Sequence, residues 1–363
     1  MKILSIIGAR PQFIKLAPLD KSLRVANRHI IVHTGQHYDL NMSEVFFDDL
    51  KIPSPDYNLE VGSASSSAQT ASIIKKIEKV FLNEKPDLTI VYGDTNSTVA
   101  GALVSVQNHI PVAHVEAGPR NNKIDIPEML NRIVTDRISS LLLCATKRNV
   151  NTLIKEGMGS RASFVGDLMY DIFLTMKEKT ISRETILSNL GIEKGNYFLF
   201  TCHRAENTDS PKRLKIIIDS LIESDKKIVF SLHPRTEKMI NNFDLKPLID
   251  KNKNIILSKP LGYLDFLTLS KFSEKIITDS GGLQREAYFL GKPCICIYDH
   301  AYWPEIEEEG WQIITGINKD RIINSIHNFN PKAKQGYIFG KGDSAQKIIK
   351  KIEEFDFETC FDY

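Results

Sequence analysis

The stretch PVAHVEAGPRNNKIDIPEMLNR, residues 111–132, shows the unit from which the chain is built. It opens with a short apolar run, Pro111–Val115, that is typical of a buried strand. A turn follows at Ala117 and Gly118. Pro127 then suits the first position of a helix, because the N–H that proline lacks is not needed there. We therefore predict a strand, a turn and a helix in that order.

Short apolar runs alternate with helix-length segments in the same way along the whole chain. Candidate helices include residues 13–25 and 67–82, with a closing helix over 344–355. This alternation predicts βαβ units and parallel, doubly wound sheets, an α/β fold class. The candidate strands of the first half are Ile3–Ile7, Ile30–His33, Leu88–Val91, Val112–Val115 and Leu141–Cys144. Those of the second half are Tyr197–Cys202, Lys227–Leu232, Asn254–Leu257, Lys275–Thr278 and Pro293–Tyr298.

The strand pattern restarts after the polar segment 177–196, which indicates two domains. The 363 residues of the chain also match two domains of ~150 residues each. We place the boundary within residues 165–195. Residues 1–170 are assigned to an N-terminal Rossmann-like domain, and residues 171–363 to a C-terminal one that includes the closing helix. Parallel sheets bind ligands at the carboxyl ends of their strands, so we expect the two domains to face one cleft.

Composition argues against several classes of protein. The net charge of +2, without a long basic run, disfavours a nucleic-acid-binding face. No apolar run approaches the ~20 residues needed to cross a bilayer, and the N-terminus enters a strand without a signal-peptide pattern. The five cysteines form no CxxC pair and mostly lie in apolar runs, as reduced core residues do. We therefore expect a cytoplasmic protein with no membrane or nucleic-acid partner.

Charged residues in the opening stretch point to acid–base chemistry. Glu116 and Arg120 flank the turn, and the helical positions of Glu128, Asn131 and Arg132 at i, i+3 and i+4 put them on one face. Any one of these charged residues alone is better explained as a capping carboxylate or a solvated arginine. Two carboxylates beside two guanidiniums at a strand end instead suit an anionic substrate that must gain or lose a proton.

Two more strand ends in the first half carry polar residues. GARPQFIK, residues 8–15, places Arg10 and Lys15 beside a helix N-terminus, which suits a phosphate or another anion. It lacks the GxGxxG spacing, so it does not predict a dinucleotide site. VYGDTNST, residues 91–98, places Asp94 after a buried strand, where it is either an acid or base or an ordinary helix N-cap.

The second half has its own strand-end motifs. TCHRAEN, residues 201–207, contains His203, whose side chain titrates near neutral pH. TDSGGLQREAYFLGKP, residues 278–293, joins a strand to a helix through Ser280, Gly281 and Gly282, and its backbone N–H groups and helix dipole suit a phosphate. Glu286, one turn further, is placed to reach a ribose hydroxyl pair.

With these motifs assembled, the chain resembles the non-hydrolysing UDP-N-acetylglucosamine 2-epimerase family over nearly its whole length. The matching motifs are GARPQFIK, HTGQHYD at 33–39, YGDTNST, HVEAGPR, PE..NR at 127–132, TCHRAENT, LHPRT and DSGGLQREA. The resemblance implies a GT-B-like pair of Rossmann-like domains that binds a UDP-sugar and UDP. It also implies a homodimer, no nicotinamide cofactor and no obligatory metal.

The resemblance further implies inversion at C2 of a UDP-2-acetamido sugar. A base removes the C2 proton and UDP leaves, which gives a 2-acetamidoglucal; UDP then adds back with the proton on the other face. The residues that match the family's catalytic positions are Asp94, Glu116, Glu128 and His203. The expected substrate-binding residues are Arg10, Lys15, Arg120, Asn131, Arg132, Ser280, Gly281, Gly282 and Glu286, and Tyr263 of PLGYLDF as a contact for the base.

One loop departs from the family pattern and leaves the substrate open. Many relatives carry an RDxTERPE-like run where this chain has YDHAYWPE, residues 298–305. The sequences of two motifs, GARPQFIK and EEGWQ (residues 308–312), are closer to those of relatives that act on UDP-2,3-diacetamido-2,3-dideoxyglucuronate or other modified sugars. The loss of an arginine would, however, weaken the binding of a uronate carboxylate, which argues against such a substrate.

Two active alternatives to UDP-N-acetylglucosamine epimerisation therefore remain, besides a catalytically silent UDP-sugar-binding protein, which the intact carboxylates disfavour. The first is 2-epimerisation of UDP-2,3-diacetamido-2,3-dideoxyglucuronate or another modified UDP-N-acetylhexosamine. The second is a GT-B glycosyltransferase, since an SGG loop with a later glutamate also suits UDP-sugar donors. The PE..NR helix face disfavours the second alternative, because glycosyl transfer does not need that acid–base pair.

Overall fold

The structure is a computed structural model that describes residues 1–36, 54–121 and 126–357. Residues 37–39 of the HTGQHYD motif lie outside the described residues, as do Cys360 and the side chain of Arg10. No helix within the described ranges is long and apolar enough to cross a membrane.

The chain divides into two compact units. The first unit combines Met1–Leu174 with the segment that begins at Tyr337, and the second comprises Thr175–Gly336. The closing helix, Ser344–Glu353, thus belongs to the first unit, although the sequence assigns it to the C-terminal domain. The physical reason is a contact between residues far apart in the sequence: Asp171 Oδ2 accepts a hydrogen bond from the Ala345 N–H at 2.8 Å, at the start of this helix.

Within the described residues, the first unit forms a seven-stranded parallel sheet in the order β3-β2-β1-β4-β5-β6-β7. Its strands are β1 (Lys2–Ile7), β2 (Arg28–His33), β3 (Tyr57–Asn58), β4 (Leu88–Tyr92), β5 (Val112–Val115), β6 (Leu141–Cys144) and β7 (Ala162–Phe164). Its helices, apart from the closing helix, are α1 (Arg10–Leu23), α2 (Ser66–Glu84), α3 (Asn96–Gln107), α4 (Pro127–Ile138), α5 (Lys147–Lys155) and α6 (Leu168–Met176), with a 3-10 turn at Gly159–Arg161.

Over its described residues, the second unit forms a six-stranded parallel sheet in the order β10-β9-β8-β11-β12-β13. Its strands are β8 (Phe198–Thr201), β9 (Ile228–Ser231), β10 (Ile255–Ser258), β11 (Ile276–Thr278), β12 (Cys294–Cys296) and β13 (Gln312–Ile314). Its helices are α7 (Thr185–Asn189), α8 (Ala205–Thr208), α9 (Pro211–Glu223), α10 (Pro234–Asn242), α11 (Lys246–Asp250), α12 (Tyr263–Phe272), α13 (Gly281–Phe289), α14 (Pro304–Glu308) and α15 (Lys319–Asn328), with a 3-10 helix at Lys179–Arg183.

The predicted strands are confirmed, and their ends shift by two residues or fewer. The strands β4, β5 and β6 are buried along their whole length and read as continuous apolar runs, as strands of a parallel sheet with both faces covered do. Three strands at sheet edges, β3, β7 and β13, are not predicted from the sequence. These strands are short and partly exposed, and therefore carry no continuous apolar run.

The strand order of each sheet reverses at one place. In the first unit this switch point lies between β1 and β4, and in the second between β8 and β11. Ligands of doubly wound sheets bind beyond the carboxyl ends of the strands at such a point. The turns that follow β4, β8 and β11 carry Asp94, His203 and Ser280, and Lys15 lies on α1, the helix that follows β1.

Candidate active site

Glu116 directly follows β5 in an unusual backbone conformation. Its φ of 68° lies in the left-handed region, which residues other than glycine seldom adopt. The turn is fixed by two hydrogen bonds from the N–H groups of Glu116 and Ala117 to the Leu143 carbonyl, at 3.0 and 3.2 Å. A glutamate with a strained backbone at a strand end, and with only 8% of the residue exposed, is typical of a functional site.

Two buried cations hold the Glu116 carboxylate. Lys15 Nζ lies 2.5 Å from Glu116 Oε2, and Arg132 Nη2 lies 3.2 Å from Oε1. Arg132 Nη1 also donates to the Glu116 backbone carbonyl. Burial alone would lower the pKa of Arg132, but the neighbouring carboxylates Asp94 and Glu116 raise it above its ordinary value. The guanidinium therefore stays charged.

The same guanidinium binds Asp94. Arg132 Nη2 lies 2.6 Å from Asp94 Oδ2, and Asn131 donates from Nδ2 to the Asp94 carbonyl at 3.1 Å. The helix N-cap of α3 is Thr95, whose hydroxyl accepts from the Thr98 N–H at 3.3 Å, so Asp94 is not the N-cap. The Asp94 carboxylate is 32% exposed and is accessible to a ligand.

Two predicted site residues of the first unit lie outside this buried group. Glu128 occupies the first turn of α4, as predicted, but its side chain is exposed. Arg120 binds Glu156 through Nε and Nη2, at 2.8 Å each, and Asp136 Oδ2 through Nη1 at 2.7 Å. The structure therefore gives Arg120 two anionic partners within its own unit, and its contact with substrate stays a prediction.

Sequence reasoning missed Gln12, which joins the two turns at the switch point. Its Oε1 accepts from the N–H groups of Gly8 and Ala9 at 2.7 and 3.0 Å, after β1. Its Nε2 donates to the Tyr92 carbonyl at 2.7 Å and to the Thr98 hydroxyl at 3.0 Å, after β4. The signal was present in the sequence, because glutamine at the third helical position is typical of a capping box.

The second unit is organised by Asp279, which was quoted within a motif but given no role. Its side chain is fully buried, and Oδ1 accepts from the His203 N–H at 3.1 Å. Oδ2 accepts from the Arg204 N–H at 3.0 Å, from Asn207 Nδ2 at 3.1 Å and from Cys202 Sγ at 3.3 Å. One carboxylate thus fixes the whole turn that follows β8.

His203 points to the same carboxylate with its ring. Its Nδ1 lies 3.5 Å from Asp279 Oδ1, and its side chain is 36% exposed. Burial lowers the pKa of His203 from its ordinary value; Asp279 opposes this shift, while Arg204, His233 and Arg235 add to it. His203 is therefore neutral at pH 7 and can exchange a proton. His233 of the LHPR motif lies beside it, with ring centroids 5.5 Å apart.

The predicted anion loop forms the start of α13. Ser280 is its N-cap, and its hydroxyl accepts from the Leu283 N–H at 3.4 Å. A Cβ atom on Gly281 would lie 2.8 Å from the Tyr302 ring, whereas one on Gly282 would meet nothing closer than 3.8 Å. Apart from the capped Leu283 N–H, the N–H groups of the first turn have no partner within the helix, so this end suits an oxygen-rich anion.

The remaining predicted ligand contacts of the second unit are buried side chains. Glu286 lies on α13 and is 7% exposed, and Tyr263 opens α12 and is 1% exposed. The structure places both in the same unit as the anion loop, and their contacts with a nucleotide stay predictions.

The loop that departs from the family pattern packs against the anion loop. Trp303 Nε1 donates to the Gly281 carbonyl at 3.2 Å, and the Arg285 guanidinium lies 4.6 Å from the centre of the Trp303 ring. The Arg204 guanidinium lies 4.5 Å from the centre of the Tyr302 ring. The aromatic residues of this loop thus set the surroundings of the first residue of α13.

Comparison with known proteins identifies the family. The family model described as UDP-N-acetylglucosamine 2-epimerase matches residues 21–353. A UDP-N-acetylglucosamine 2-epimerase homolog of Methanococcus maripaludis is 48% identical over 355 residues, which cover 97% of this chain and 99% of the relative. The chain belongs to the UDP-N-acetylglucosamine 2-epimerase family. Members of this family are isomerases, so the chain is an enzyme of that class.

Two further relatives of this family bear on the substrate. The crystal structure of Methanocaldococcus jannaschii UDP-GlcNAc 2-epimerase in complex with UDP-GlcNAc and UDP superposes with a TM-score of 0.91 at 40% identity, covering 98% of this chain and 100% of that one. A UDP-2,3-diacetamido-2,3-dideoxy-D-glucuronate 2-epimerase of Pseudomonas aeruginosa is 41% identical over 362 residues, 97% of this chain and 99% of the relative. The predicted family and its GT-B-like α/β fold are confirmed.

Proposed function

We propose that this epimerase inverts C2 of UDP-N-acetylglucosamine by eliminating UDP and adding it back. The observation that carries the proposal is that one nitrogen, Arg132 Nη2, binds the carboxylates of both Asp94 and Glu116, at 2.6 and 3.2 Å. Two proton-transfer groups are thus gathered where β4 and β5 end. Inversion at a carbon needs a proton removed from one face and returned to the other, and two carboxylates supply that.

In the proposed first step, a carboxylate of the Asp94–Glu116 pair accepts the proton from C2. The electron pair of the C2–H bond forms the C1=C2 double bond of a 2-acetamidoglucal, and the C1–O bond breaks to release UDP. In the return step the other carboxylate, protonated from solvent, gives its proton to C2 on the opposite face, and a UDP oxygen attacks C1. Arg132 and Lys15 remain cationic and stabilise the negative charge that develops between these states.

The second unit supplies the groups that suit the departing UDP. The first turn of α13 offers backbone N–H groups to the diphosphate, and neutral His203 can donate a hydrogen bond to it. Asp279 holds the His203 turn in place without needing to touch the nucleotide. Glu286 on the same helix is proposed to bind the ribose, as the family resemblance implies.

A second substrate deserves a direct test because of the loop at residues 298–305. Its residues Tyr302 and Trp303 pack on Gly281 at the anion loop, so a change in this loop alters the immediate surroundings of the nucleotide-sugar site that we propose. The Pseudomonas relative is named for a diacetamido-uronate substrate. The same elimination and re-addition on UDP-2,3-diacetamido-2,3-dideoxyglucuronate is therefore the second candidate function.

A panel of nucleotide sugars separates these candidates. The chain is incubated with UDP-GlcNAc, with UDP-2,3-diacetamido-2,3-dideoxyglucuronate and with UDP-glucose as a control that lacks the 2-acetamido group, and proton NMR follows C2 inversion. The proposal expects the manno epimer from UDP-GlcNAc. Inversion of the diacetamido-uronate alone would establish the second candidate. Release of UDP in amounts equal to a glycosylated acceptor would instead establish a glycosyltransferase.

The oligomeric state is part of the same proposal. The family resemblance implies a homodimer, and light scattering of the purified chain measures it directly. A mass of about twice the 41.1 kDa of one chain is expected, and a monomer at working concentration would contradict this part.

A further inference from the structure

His114 is a fully buried histidine of β5 that the proposed mechanism does not use. Its Nδ1 lies 2.6 Å from Asp136 Oδ1, and its Nε2 lies 2.7 Å from the carbonyl oxygen of Gly93. Both ring nitrogens therefore make short contacts to oxygen atoms. The Asp136 side chain is also fully buried.

The chemistry of these partners fixes the protons on the ring. A carbonyl oxygen only accepts hydrogen bonds, so Nε2 must carry a proton to donate to Gly93. An ionised carboxylate also only accepts, so Nδ1 must carry one as well. Burial works against ionisation of Asp136, but its Oδ2 accepts hydrogen bonds from Arg120 Nη1 at 2.7 Å and from the Gly118 N–H at 3.2 Å, and two such donors, one of them a guanidinium, favour the ionised carboxylate. Since Asp136 is ionised, both nitrogens of the His114 ring donate a hydrogen bond, and a ring with two protonated nitrogens is an imidazolium.

This buried pair is attached to both turns that carry the proposed proton-transfer groups. His114 contacts the carbonyl of Gly93, the residue before Asp94. The backbone φ of Gly93 is 67°, in the left-handed region. Asp136 Oδ2 accepts from the Gly118 N–H at 3.2 Å, two residues after Glu116. A shift of the pair would therefore move both turns together.

We propose that His114 is a buried imidazolium which, with Asp136, positions the Asp94 and Glu116 turns for the reaction. His114 is a positioning residue and does not touch substrate. The inference rests on the proposed function for the reaction that it serves, but the charge of the ring can be measured without any substrate.

The charge of the ring is tested in wild-type protein labelled with 15N-histidine. Two-bond proton–nitrogen NMR correlations at neutral pH distinguish an imidazolium, with two protonated nitrogens, from a neutral ring that has one bare nitrogen. We expect an imidazolium whose N–H protons are protected from exchange, and whose signals disappear in His114→Gln. The absence of any protected imidazolium would overturn the proposal, and this outcome needs no variant that folds.

The positioning role is tested by two neutral replacements. In His114→Gln, the side-chain NH2 can take the place of Nε2 and keep the hydrogen bond to the Gly93 carbonyl. In His114→Asn, the side-chain NH2 can take the place of Nδ1 only, so the hydrogen bond to Gly93 is lost. We expect His114→Asn to lower kcat about 100-fold, because a misplacement of ~1 Å costs that much, with KM changed less than about threefold. His114→Gln is expected to recover at least about tenfold of the loss in kcat. An unchanged kcat in His114→Asn, or equal losses in both variants, would overturn the role.

His29→Asn is the matched control for a structural effect. His29 is also buried in the first unit, and its Nδ1 lies 2.7 Å from Asp20 Oδ1. It pairs with Ile3 near the amino end of β1, away from the turns discussed here. We expect this variant to lose thermal stability and keep kcat. A wild-type enzyme that inverts no nucleotide sugar would defeat the proposed function and leave the NMR result on His114 standing.

Discussion

Each unit has a buried aspartate near its candidate site, but the two aspartates bind different kinds of group. Each aspartate is fully buried and accepts a hydrogen bond from the turn after a strand: Asp136 binds the turn after β5, and Asp279 binds the turn after β8. Asp136 mainly binds ionisable side chains, His114 at 2.6 Å and Arg120 at 2.7 Å. Asp279 mainly binds backbone N–H groups of the turn after β8. The same aspartate arrangement therefore supports two kinds of site.

This difference shows how two domains of similar fold can take different parts of one reaction, proton transfer in one and diphosphate binding in the other. Proton transfer needs ionisable side chains gathered out of water, and the first unit pairs such side chains with each other. Binding a diphosphate needs donors at a helix end with little side chain in the way, and the second unit supplies Ser280 and two glycines. The following predictions test whether the first unit governs turnover and the second governs nucleotide binding.

The largest effect is expected for Glu116→Gln. The amide cannot accept the C2 proton, so kcat should fall about 100- to 10,000-fold, as is typical for loss of a general base. The Kd for UDP, measured by calorimetry, should change little, because the second unit is intact. Glu84→Gln is the matched control: Glu84 pairs with Lys2 and Arg28 and should leave kcat unchanged. Undiminished turnover in Glu116→Gln would show that this carboxylate has been misassigned.

Replacing the two buried aspartates should separate the two units. Asp136→Asn is expected to lower kcat about 100-fold through misplaced turns, with the Kd for UDP nearly unchanged. Asp279→Asn is expected to weaken UDP binding about tenfold, ~1.4 kcal/mol, because the turn at His203 and Arg204 loses its charged acceptor. Both variants should lose about 3 kcal/mol of unfolding free energy, measured by urea denaturation. The same pattern of kcat and Kd changes in both variants would remove the proposed division of roles.

A smaller effect should distinguish the neighbouring glycines of the anion loop in the ligand-free protein. Gly281→Ala forces a methyl group to 2.8 Å from the Tyr302 ring, and overpacking of this kind costs about 1–3 kcal/mol. Gly282→Ala meets open space, with Ser280 Oγ at 3.8 Å, and should change stability by less than about 0.5 kcal/mol. Urea unfolding measures both variants. Equal losses would mean that the loop at Tyr302 does not pack on Gly281.

The smallest effect concerns the pH dependence of His203. Its pKa is lowered by burial, and Arg204, His233 and Arg235 add to that shift against the attraction of Asp279. A lowered pKa keeps His203 neutral at pH 7, so the acid-side fall in kcat/KM should begin below its ordinary value of about 6.5. His233→Gln removes one positive neighbour and should move this fall to higher pH by less than about one unit. A shift to lower pH would contradict the assignment.

The sequence predicts the interior of the fold far better than its margins. Strands such as β5 and β6 were predicted at their observed ends, because burial on both faces demands a continuous apolar run. The edge strands β3, β7 and β13 were missed because partial exposure allows mixed residues. The closing helix was identified, but its assignment to a unit depends on Asp171, a contact between distant residues that periodicity does not report.

The candidate site was predicted in part for a similar reason. Motifs at strand ends identified Asp94 and Glu116, and the structure brings both to Arg132. The buried aspartates were missed because a carboxylate that binds backbone and paired side chains looks like any other charged residue in a sequence. Asp136 had one signal, since it lies four residues after Arg132 and therefore on the same face of α4.

The most direct test of the account is the fate of hydrogen at C2 when the wild-type enzyme turns over UDP-GlcNAc in heavy water. We expect deuterium to enter C2 of the manno product, and of recovered substrate as the reaction reverses. We also expect Glu116→Gln to lose this incorporation while it still binds UDP. Formation of the manno epimer with protium retained at C2 would contradict proton transfer by Asp94 and Glu116 as the basis of the reaction.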